Sequence, residues 1–547
     1  MTQQAGHSAP ASFAGLSYLV IDDFDNFRNA IAQILRNCGA EKIELVANAN
    51  TAIHYCTYNH VDVVLCDYNL GVGKNGQQIL EELRYRKLLK RSSLFLMVTA
   101  ETSRDMVMGA RENLPDGYLT KPINQAIVEK RLGNLIAQRK ALLPINRAID
   151  RENYPEAITL SLQALARHPR YTTWLMKTLG DLYFRLGDLS HAIRIYDDVL
   201  ARRELPWARL GRSRVLLAQH HYHEATSSLE QLIADNPDFM EAYDLLAEGL
   251  KQQGLTTRAQ ALLQQAVSRS PNAILRQKQL ALLAQSNQDP ATASMAWRQV
   301  VAQGAHSIHD CADHHLSLAQ TLAELSDGDT DPVSATRTGE ALSVLTEMEK
   351  RFSGEPEIHL RSLLTRCLVY AGNGQKQEAN DLLDSVRGEL EHPETMTPAT
   401  ALDFARTLFR LEDPVAAKKL LTTLAELHSD NSEILEAIEN LLDEPVGFRQ
   451  KLQARSLNQN GISAFEQGKL DDAAQAFRKA LAVVPGHAAL NLNLVQVLLK
   501  EHQNNPDNQK LLQECQACMD RISDISERHR QYRRYLALQT RLKELMS

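Results

Sequence analysis

Acidic, hydroxyl-bearing and basic residues stand at five points in the first part of the chain. They are Asp22 with Asp23, Asp67, Thr99 with Glu101, Tyr118, and Lys121 with Pro122. Carboxylate oxygens suit Mg²⁺ as ligands, and a carboxylate can also act as a nucleophile toward phosphorus. A lysine ammonium pairs with phosphoryl oxygens. Brought together, these residues could hold a divalent cation and accept a phosphoryl group on an aspartate.

Short apolar runs lead into these points, at residues 18–21, 61–66, 94–98 and 117–120. Stretches with helical spacing of apolar residues lie between them and include Phe27, Ile79 and Ile127. Apolar strands that alternate with amphipathic helices indicate βα units on a parallel sheet. Because functional side chains gather at the carboxyl ends of such strands, we predict that the polar residues converge in one cleft.

Residues 15–138, with these motifs in this order, resemble the response regulator receiver domain of bacterial two-component signalling, and in particular the chemotaxis receivers. The resemblance implies a doubly wound α/β fold with a parallel five-stranded sheet. It implies that a sensor histidine kinase or a phosphotransfer protein phosphorylates Asp67, with Mg²⁺ as cofactor. Asp23, Asp67 and the backbone carbonyl of Asn69 would bind the ion directly, and Asp22 would act through water.

The resemblance also assigns roles around the phosphoryl group. Lys121 and Thr99 would contact phosphoryl oxygens, and Tyr118 would turn inward as Thr99 moves. The peptide bond between Lys121 and Pro122 would be cis. Asn69 and Glu101 would tune dephosphorylation, and this pair occurs in fast-resetting chemotaxis receivers, so we expect a short-lived phosphoryl group.

The loop after Asp67 departs from the usual receiver pattern. Gly71 stands where many receivers have proline, and the turn glycine comes one residue late, at Gly76. Three glycines give this loop unusual backbone freedom. We expect the difference to affect the choice of partner and to leave phosphorylation intact.

The rest of the chain repeats at an interval of 34 residues, which is kept by Ala225, Ala259 and Ala293, by Leu246 and Leu280, and by Pro237 and Pro271. Each unit contains two helical stretches joined by a short turn, with a small residue that allows close helix packing. This pattern resembles the tetratricopeptide repeat. It predicts an all-α solenoid whose concave groove binds a protein or peptide.

We predict six segments from these patterns. They are a mobile N-terminal tail (1–14), a receiver domain (15–138), tetratricopeptide repeats (139–307), divergent helical repeats (308–453), a tetratricopeptide repeat with its following helix (454–499) and C-terminal capping helices (500–547). The last receiver helix is expected to run from about residue 124 to 140, with Pro144 opening the next segment. No Gly/Ser-rich linker separates the two, so we expect the side formed by the fourth helix, fifth strand and fifth helix to communicate phosphorylation to residues 145–169.

Composition argues against several classes of protein. A net charge of −7 over 547 residues argues against a general nucleic-acid-binding surface. No apolar stretch approaches the roughly 20 residues that span a bilayer, so membrane insertion is not expected. The first residues lack the features of a signal peptide, and seven dispersed cysteines form no disulfide framework, which favours the cytoplasm.

Three other clusters have residue types that could form a site. Cys515 and Cys518 have zinc-like spacing without a second pair, and a short stretch contains His309, Cys311, His314 and His315. Core or solvated positions are preferred for both. Helical geometry would turn Glu241, Asp244 and Glu248 toward the groove, where they would suit a basic ligand, although ordinary surface charges are the preferred reading.

The preferred functional hypothesis is a non-enzymatic two-component response regulator whose repeats, rather than a DNA-binding domain, provide the output. One alternative is a phosphate sink that is docked by its repeats and competes with another regulator for phosphoryl groups. Another is a constitutive scaffold whose receiver serves only for dimerisation or docking, which leaves a homodimer open.

Overall fold

The computed structural model describes residues 13–100, 115–326, 332–390, 396–428, 431–442, 457–458, 460–465, 467–483, 488–504, 508–522 and 532–546. The expectations for residues 1–12, for Glu101 and for the fourth receiver helix lie outside these ranges. The chain divides into two compact units, residues 1–376 and 377–547. In the part that is described, no helix is long and apolar enough to cross a membrane.

The N-terminal domain is built on a five-stranded parallel sheet with the order β2-β1-β3-β4-β5. The strands are β1 (Ser17–Ile21), β2 (Lys42–Val46), β3 (Val63–Asp67), β4 (Leu94–Thr99) and β5 (Gly117–Thr120). Asp67 pairs in register with Val98, and Thr99 pairs with Thr120. The last residues of the three strands on this side of the sheet therefore lie side by side.

Helices cover both faces of the sheet. On one face, α1 (Asp25–Asn37) and the helix Gln125–Asp150 pack on a core that includes Leu65 and Leu96. On the other face, α2 (Ala49–Tyr58) and α3 (Gly76–Tyr85) pack on a core that includes Val64 and Phe95. Since both faces are buried, the central strands β1, β3 and β4 are continuous apolar runs, whereas the edge strand β2 is partly exposed and alternates charged with apolar residues. The predicted doubly wound α/β fold is confirmed.

The helix Gln125–Asp150, called the connecting helix below, joins the sheet domain to the following helices without a break. It continues through Pro144, so the expected end near residue 140 is wrong. Proline removes one backbone hydrogen bond and clashes with the preceding turn, which usually ends a helix. Here Leu142 and Ile145 are buried against Ala164 and Leu175, and this packing stabilises the last turns.

Helices make up the rest of the first unit. They are Tyr154–Arg167, Thr172–Arg185, Leu189–Leu200, Pro206–Ala218, Tyr222–Asp235, Met240–Gln252, Thr256–Arg269, Ile274–Ser286, Pro290–Gly304, Ala312–Glu324, Pro332–Arg351 and Pro356–Gly372, with a short 3₁₀ turn at Pro169–Tyr171. Consecutive helices pack against each other along the chain. Ala225, Ala259 and Ala293 are fully buried, as the role of small residues between neighbouring helices requires. The predicted all-α repeat region is confirmed.

The second unit is also helical. Its helices are Lys376–Val386, which begins at the boundary, then Pro398–Arg410, Pro414–Leu427, Ser432–Leu442, Leu470–Val483, Ala488–Asn504, Gln509–Asp520 and Tyr532–Met546, with a 3₁₀ turn at Arg387–Leu390. Cys515 and Cys518 are fully buried in its apolar core. Burial raises the pKa of the Cys515 thiol to about 12. Because both side chains lie among apolar residues, the zinc-like spacing reflects core packing.

Candidate functional site

The predicted polar residues meet at the carboxyl edge of the sheet. Asp22 follows β1, Asp67 ends β3, Thr99 ends β4 and Lys121 follows β5. Carboxylate oxygens of Asp22, Asp23 and Asp67 lie within 4.8 Å of one another. The sheet thus gathers three oxygen ligands from two strand ends, as the strand pattern led us to expect.

Lys121 lies between two of these carboxylates. Its Nζ is 2.9 Å from Asp22 Oδ2 and 2.9 Å from Asp67 Oδ2. The same ammonium sits 4.1 Å from the centre of the Phe27 ring, which gives a cation–π contact. Phe27 was predicted only as a helical core residue, since apolar spacing does not reveal what lies over the face of a ring.

The charges in this cleft shift the pKa values of both partners. Burial raises the pKa of the Asp67 carboxyl, the nearby Asp22 charge adds to this, and hydrogen bonding to Lys121 opposes it. Burial by itself would lower the pKa of Lys121, but the carboxylates of Asp67 and Asp22 outweigh it and the pKa is raised. Lys121 therefore remains a cation. Three carboxylates and one ammonium leave net negative charge, and this hard-oxygen donor set fits Mg²⁺.

Asp22 is held on both sides. Its Oδ1 accepts a 2.9 Å hydrogen bond from the backbone N–H of Phe24, and its Oδ2 accepts the bond from Lys121. Arg28 donates to the Asp22 carbonyl and pairs with Asp25. Asp23, in contrast, is exposed. The first acidic pair is thus divided into a buried, fixed member and an accessible one.

The remaining predicted residues surround this cluster. Asn69 is exposed, and its Oδ1 accepts a 3.2 Å hydrogen bond from the backbone N–H of Gly71. Thr99 is partly exposed, and its carbonyl accepts a 2.8 Å bond from the Lys121 backbone. Tyr118 is partly buried against the core under α3. The Lys121-Pro122 peptide bond is cis, as the resemblance implied.

The late turn glycine has a steric explanation. A Cβ at Gly76 would lie 2.3 Å from the carbonyl oxygen of Asp67 and 3.0 Å from the sulfur of Met97. The Gly76 N–H also donates a 2.8 Å hydrogen bond to the Tyr68 carbonyl. α3 therefore starts directly against the backbone of Asp67, and only glycine allows this approach.

A second set of contacts ties the sheet domain to the first repeat helices. Asp150, the last residue of the connecting helix, accepts hydrogen bonds from the backbone N–H groups of Arg91 (2.7 Å) and Ser92 (3.1 Å). The Arg91 guanidinium lies 5.7 Å from the Trp174 ring centre. The sequence predicted a junction through the connecting helix. It did not reveal the contacts of Arg91 and Ser92, because no local pattern relates residues so far apart in the chain.

The other candidate clusters are not brought together as metal ligands. Among the residues that the structure describes, only Asp22, Asp23 and Asp67 form a group of three or more potential ligands. His314 and His315 are buried in the repeat core. Asp244 makes a two-pronged ion pair with Arg276, at 2.8 and 2.7 Å, rather than offering a free charge.

Comparison with known proteins agrees with this architecture. Residues 18–132 match the family described as response regulator receiver domain. Residues 145–206 and 210–274 match a family of tetratricopeptide repeats, and residues 464–542 match another family of the same description. The repeat matches lie in both compact units.

Chemotaxis proteins are similar to the N-terminal domain of this chain. Chemotaxis protein CheY-3 of Vibrio cholerae serotype O1 is 28% identical over 120 residues, which are 22% of this chain and 91% of that protein. Chemotaxis protein CheY of Pseudomonas aeruginosa is 28% identical over 117 residues, 21% of this chain and 93% of that protein. A solved structure of chemotaxis protein CheY4 of Vibrio cholerae is 25% identical and covers 22% of this chain and 97% of that one, with a TM-score of 0.21. The chain thus has a response regulator receiver domain at its N-terminus and tetratricopeptide repeats in the remainder.

Proposed function

We propose that this protein is a two-component response regulator that is phosphorylated on Asp67 and acts through protein binding by its repeats. The phosphoryl donor is a sensor histidine kinase or a phosphotransfer protein. The observation that carries the proposal is the position of the Lys121 ammonium, 2.9 Å from both Asp22 and Asp67, beside a third carboxylate. This arrangement supports the proposal because the ammonium lies where it can contact both the Asp67 carboxylate and the oxygens of an arriving phosphoryl group.

In the proposed reaction, an Asp67 carboxylate oxygen attacks phosphorus. The bond from phosphorus to the donor histidine nitrogen breaks, and its electron pair stays on the imidazole. Lys121 keeps its contact with the carboxylate edge and stabilises the phosphoryl oxygens as the acyl phosphate forms. Thr99 contacts another of these oxygens, and Tyr118 turns inward behind it. Such transfer depends on positioning and charge more than on covalent chemistry by the protein.

Asp23, Asp67 and the backbone carbonyl of Asn69 would hold Mg²⁺. Asp22 would act through water, which agrees with the use of its two oxygens by Phe24 and Lys121. When bound, the ion offsets charge on the carboxylates and on the incoming phosphoryl group. Asn69 and Glu101 are proposed to tune hydrolysis of the acyl phosphate.

The repeats are proposed to be the output of the protein and to bind a protein or peptide partner in the cytoplasm. The Asp150 contacts support this view over a phosphate sink, since a sink needs only docking and has no use for a firm joint. We propose no enzymatic activity beyond the phosphorylation and dephosphorylation of the receiver itself. A homodimer through the receiver remains a hypothesis.

The experiment that tests this proposal is incubation of the full chain with acetyl phosphate and Mg²⁺. The intact protein should gain one acid-labile phosphoryl group. The gain should disappear in Asp67→Asn and on chelation of the metal, and it should require more Mg²⁺ in Asp23→Ala, which lacks one oxygen ligand. Robust phosphorylation of Asp67→Asn would refute the assignment.

A further inference from the structure

The receiver touches the repeats at a second place, far along the solenoid. Gln78, in the first turn of α3, donates from Nε2 to the backbone carbonyls of Gln303 (3.4 Å) and Ala305 (3.3 Å). These carbonyls belong to the end of the helix Pro290–Gly304 and to the residue after it. Carbonyls at a helix C-terminus lack partners within the helix, so they are available acceptors for an amide from another domain.

The Gln78 side chain also caps the first turn of α3. Its Oε1 accepts a 3.0 Å hydrogen bond from the backbone N–H of Asn75, while the Asn75 side chain accepts a 2.9 Å bond from the Gln78 backbone. This reciprocal pair is a capping box at the start of α3. One amide therefore both caps α3 and joins it to the repeats, so the position of this helix end and the interdomain contact are mechanically linked.

The start of α3 is in turn tied to the phosphoacceptor. Gly76 packs on the Asp67 carbonyl with no room for a Cβ, and its N–H donates to Tyr68. A shift in the backbone at Asp67 therefore has to move Gly76, and with it the capping box. The path from Asp67 to Gln303 runs through contiguous contacts.

Between the receiver and the repeats lies a cavity of about 290 Å³. Its receiver wall includes Tyr68 and Glu81, and its repeat wall includes Glu241 and the exposed Leu275. Phosphorylation of Asp67 replaces a carboxylate of charge −1 with an acyl phosphate of charge about −1.5 to −2, so it adds at most about one negative charge next to Tyr68 in this wall. The repeat wall also includes Asp244 and its ion-pair partner Arg276, so the cavity has more carboxylates than guanidinium groups. Added negative charge there favours separation of the two walls.

We infer that the receiver binds this part of the repeats as an intramolecular ligand. Gln78 holds α3 against the backbone at Gln303 and Ala305. Phosphorylation of Asp67 loosens this contact and uncovers the repeat surface at residues 272–279. The inference rests on the proposed function, because it uses Asp67 as the phosphoacceptor. It identifies the surface that the output partner would use.

The chain offers a matched pair of variants. In Gln78→Glu the side chain keeps an oxygen for the capping box but loses the amide hydrogens that reach Gln303 and Ala305. Gln77→Glu adds the same charge to the same wall of the cavity, from a side chain that makes neither of these two bonds. The comparison separates loss of the contact from a general charge effect and from loss of the helix cap.

Hydrogen exchange of the full chain tests the inference. In Gln78→Glu, backbone amides in residues 272–279 and 300–309 should exchange about threefold to tenfold faster, the range expected for loss of one or two hydrogen bonds. Gln77→Glu should match the wild type. Beryllofluoride with Mg²⁺, which mimics the phosphoryl group, should speed exchange in the same segments of the wild type and leave them unchanged in Asp67→Asn.

Two negative results have different meanings. If beryllofluoride protects the segments around Asp22 and Asp67 but leaves residues 272–279 and 300–309 as they were, release by phosphorylation is wrong and the phosphoacceptor stands. If beryllofluoride changes nothing near Asp67, the proposed function fails and controlled release fails with it. Equal exchange in Gln78→Glu, Gln77→Glu and wild type overturns the role of Gln78 in either case.

Discussion

The ammonium of Lys121 lies 2.9 Å from Oδ2 of Asp67, so the proposed phosphoacceptor carries its counterion before any phosphoryl group arrives. The lysine must serve the carboxylate in one state and the phosphoryl oxygens in the other. It also competes with a metal ion for the negative charge of the cleft. The ammonium should therefore weaken Mg²⁺ binding while it speeds phosphorylation, and substitution of Lys121 can separate these two effects.

Lys121→Met should bind Mg²⁺ more tightly and accept phosphate more slowly. Removal of a charge at hydrogen-bond distance from two carboxylates should raise Mg²⁺ affinity by about tenfold or more. Phosphorylation should slow because the phosphoryl oxygens lose a partner. Calorimetric titration with Mg²⁺ and the rate of labelling by acetyl phosphate measure the two effects, with Lys121→Arg as the charge-conserving control. Unchanged or weaker Mg²⁺ binding would show that the ammonium does not balance this cleft.

The phosphoryl group on this receiver should be short-lived. Asn69 is exposed next to the acidic cluster, and the resemblance to fast-resetting chemotaxis receivers implies that it tunes dephosphorylation together with Glu101. The purified phosphoprotein should therefore lose its label within minutes at room temperature without a phosphatase. Decay of the phosphorylated intact mass after removal of the donor gives the lifetime. Persistence for many hours would contradict this role of the pair.

Substitution of Asp150 should loosen the joint between the receiver and the first repeat. In Asp150→Ala the backbone N–H groups of Arg91 and Ser92 lose their acceptor, at a cost of about 1–3 kcal/mol in local stability. Exchange of the amides in residues 89–94 measures this cost. Glu152→Ala is the control, since it removes an exposed ion pair with Lys87 and should leave the same amides unchanged. Equal exchange in the two variants would mean that Asp150 does not hold the joint.

Acid should weaken the repeat core through His314. Burial, with the charge of Lys278 in second place, lowers the pKa of His314 to about 4, while an unfolded histidine titrates near about 6.5. The unfolded state therefore binds the proton first, and stability should fall as pH drops from about 6.5 toward 4, by up to about 1.4 kcal/mol per pH unit. Thermal unfolding at pH 7 and pH 5 should show a smaller acid-induced loss for His314→Gln than for the wild type. An equal loss would place the acid sensitivity elsewhere.

Much of the receiver could be predicted because its signals are local. Apolar runs indicated four of the five strands, whereas the edge strand β2, which is partly exposed, was implied only by the resemblance to receiver domains. The rule that carboxyl ends of parallel strands share an edge placed Asp22 and Asp67 together. The end of the connecting helix was predicted wrongly because Pro144 is a strong local signal that tertiary packing overrides. The contacts of Phe27 and Gln78 were missed for a related reason. Their partners belong to elements that are distant in sequence, and the residue types phenylalanine and glutamine do not by themselves indicate these contacts.

In the repeats too, features set by local sequence could be predicted, and contacts between distant helices could not. The interval of 34 residues led to fully buried alanines at 225, 259 and 293, because helix pairs of one length stack in one way. Asp244 was predicted to be an ordinary surface charge, with a basic ligand as the alternative, but Arg276 from a later helix contacts both of its carboxylate oxygens. An ion pair between neighbouring repeats cannot be predicted from the sequence of only one of the two helices.

Chemical trapping of the phosphorylated residue tests the central claim most directly. Borohydride reduces an aspartyl phosphate to homoserine, so the full chain is treated with acetyl phosphate and Mg²⁺, reduced, digested and sequenced by mass spectrometry. The account predicts homoserine at position 67 alone, absent when Mg²⁺ is chelated. Homoserine at another aspartate, or none at position 67 while the protein carries phosphate, would contradict it.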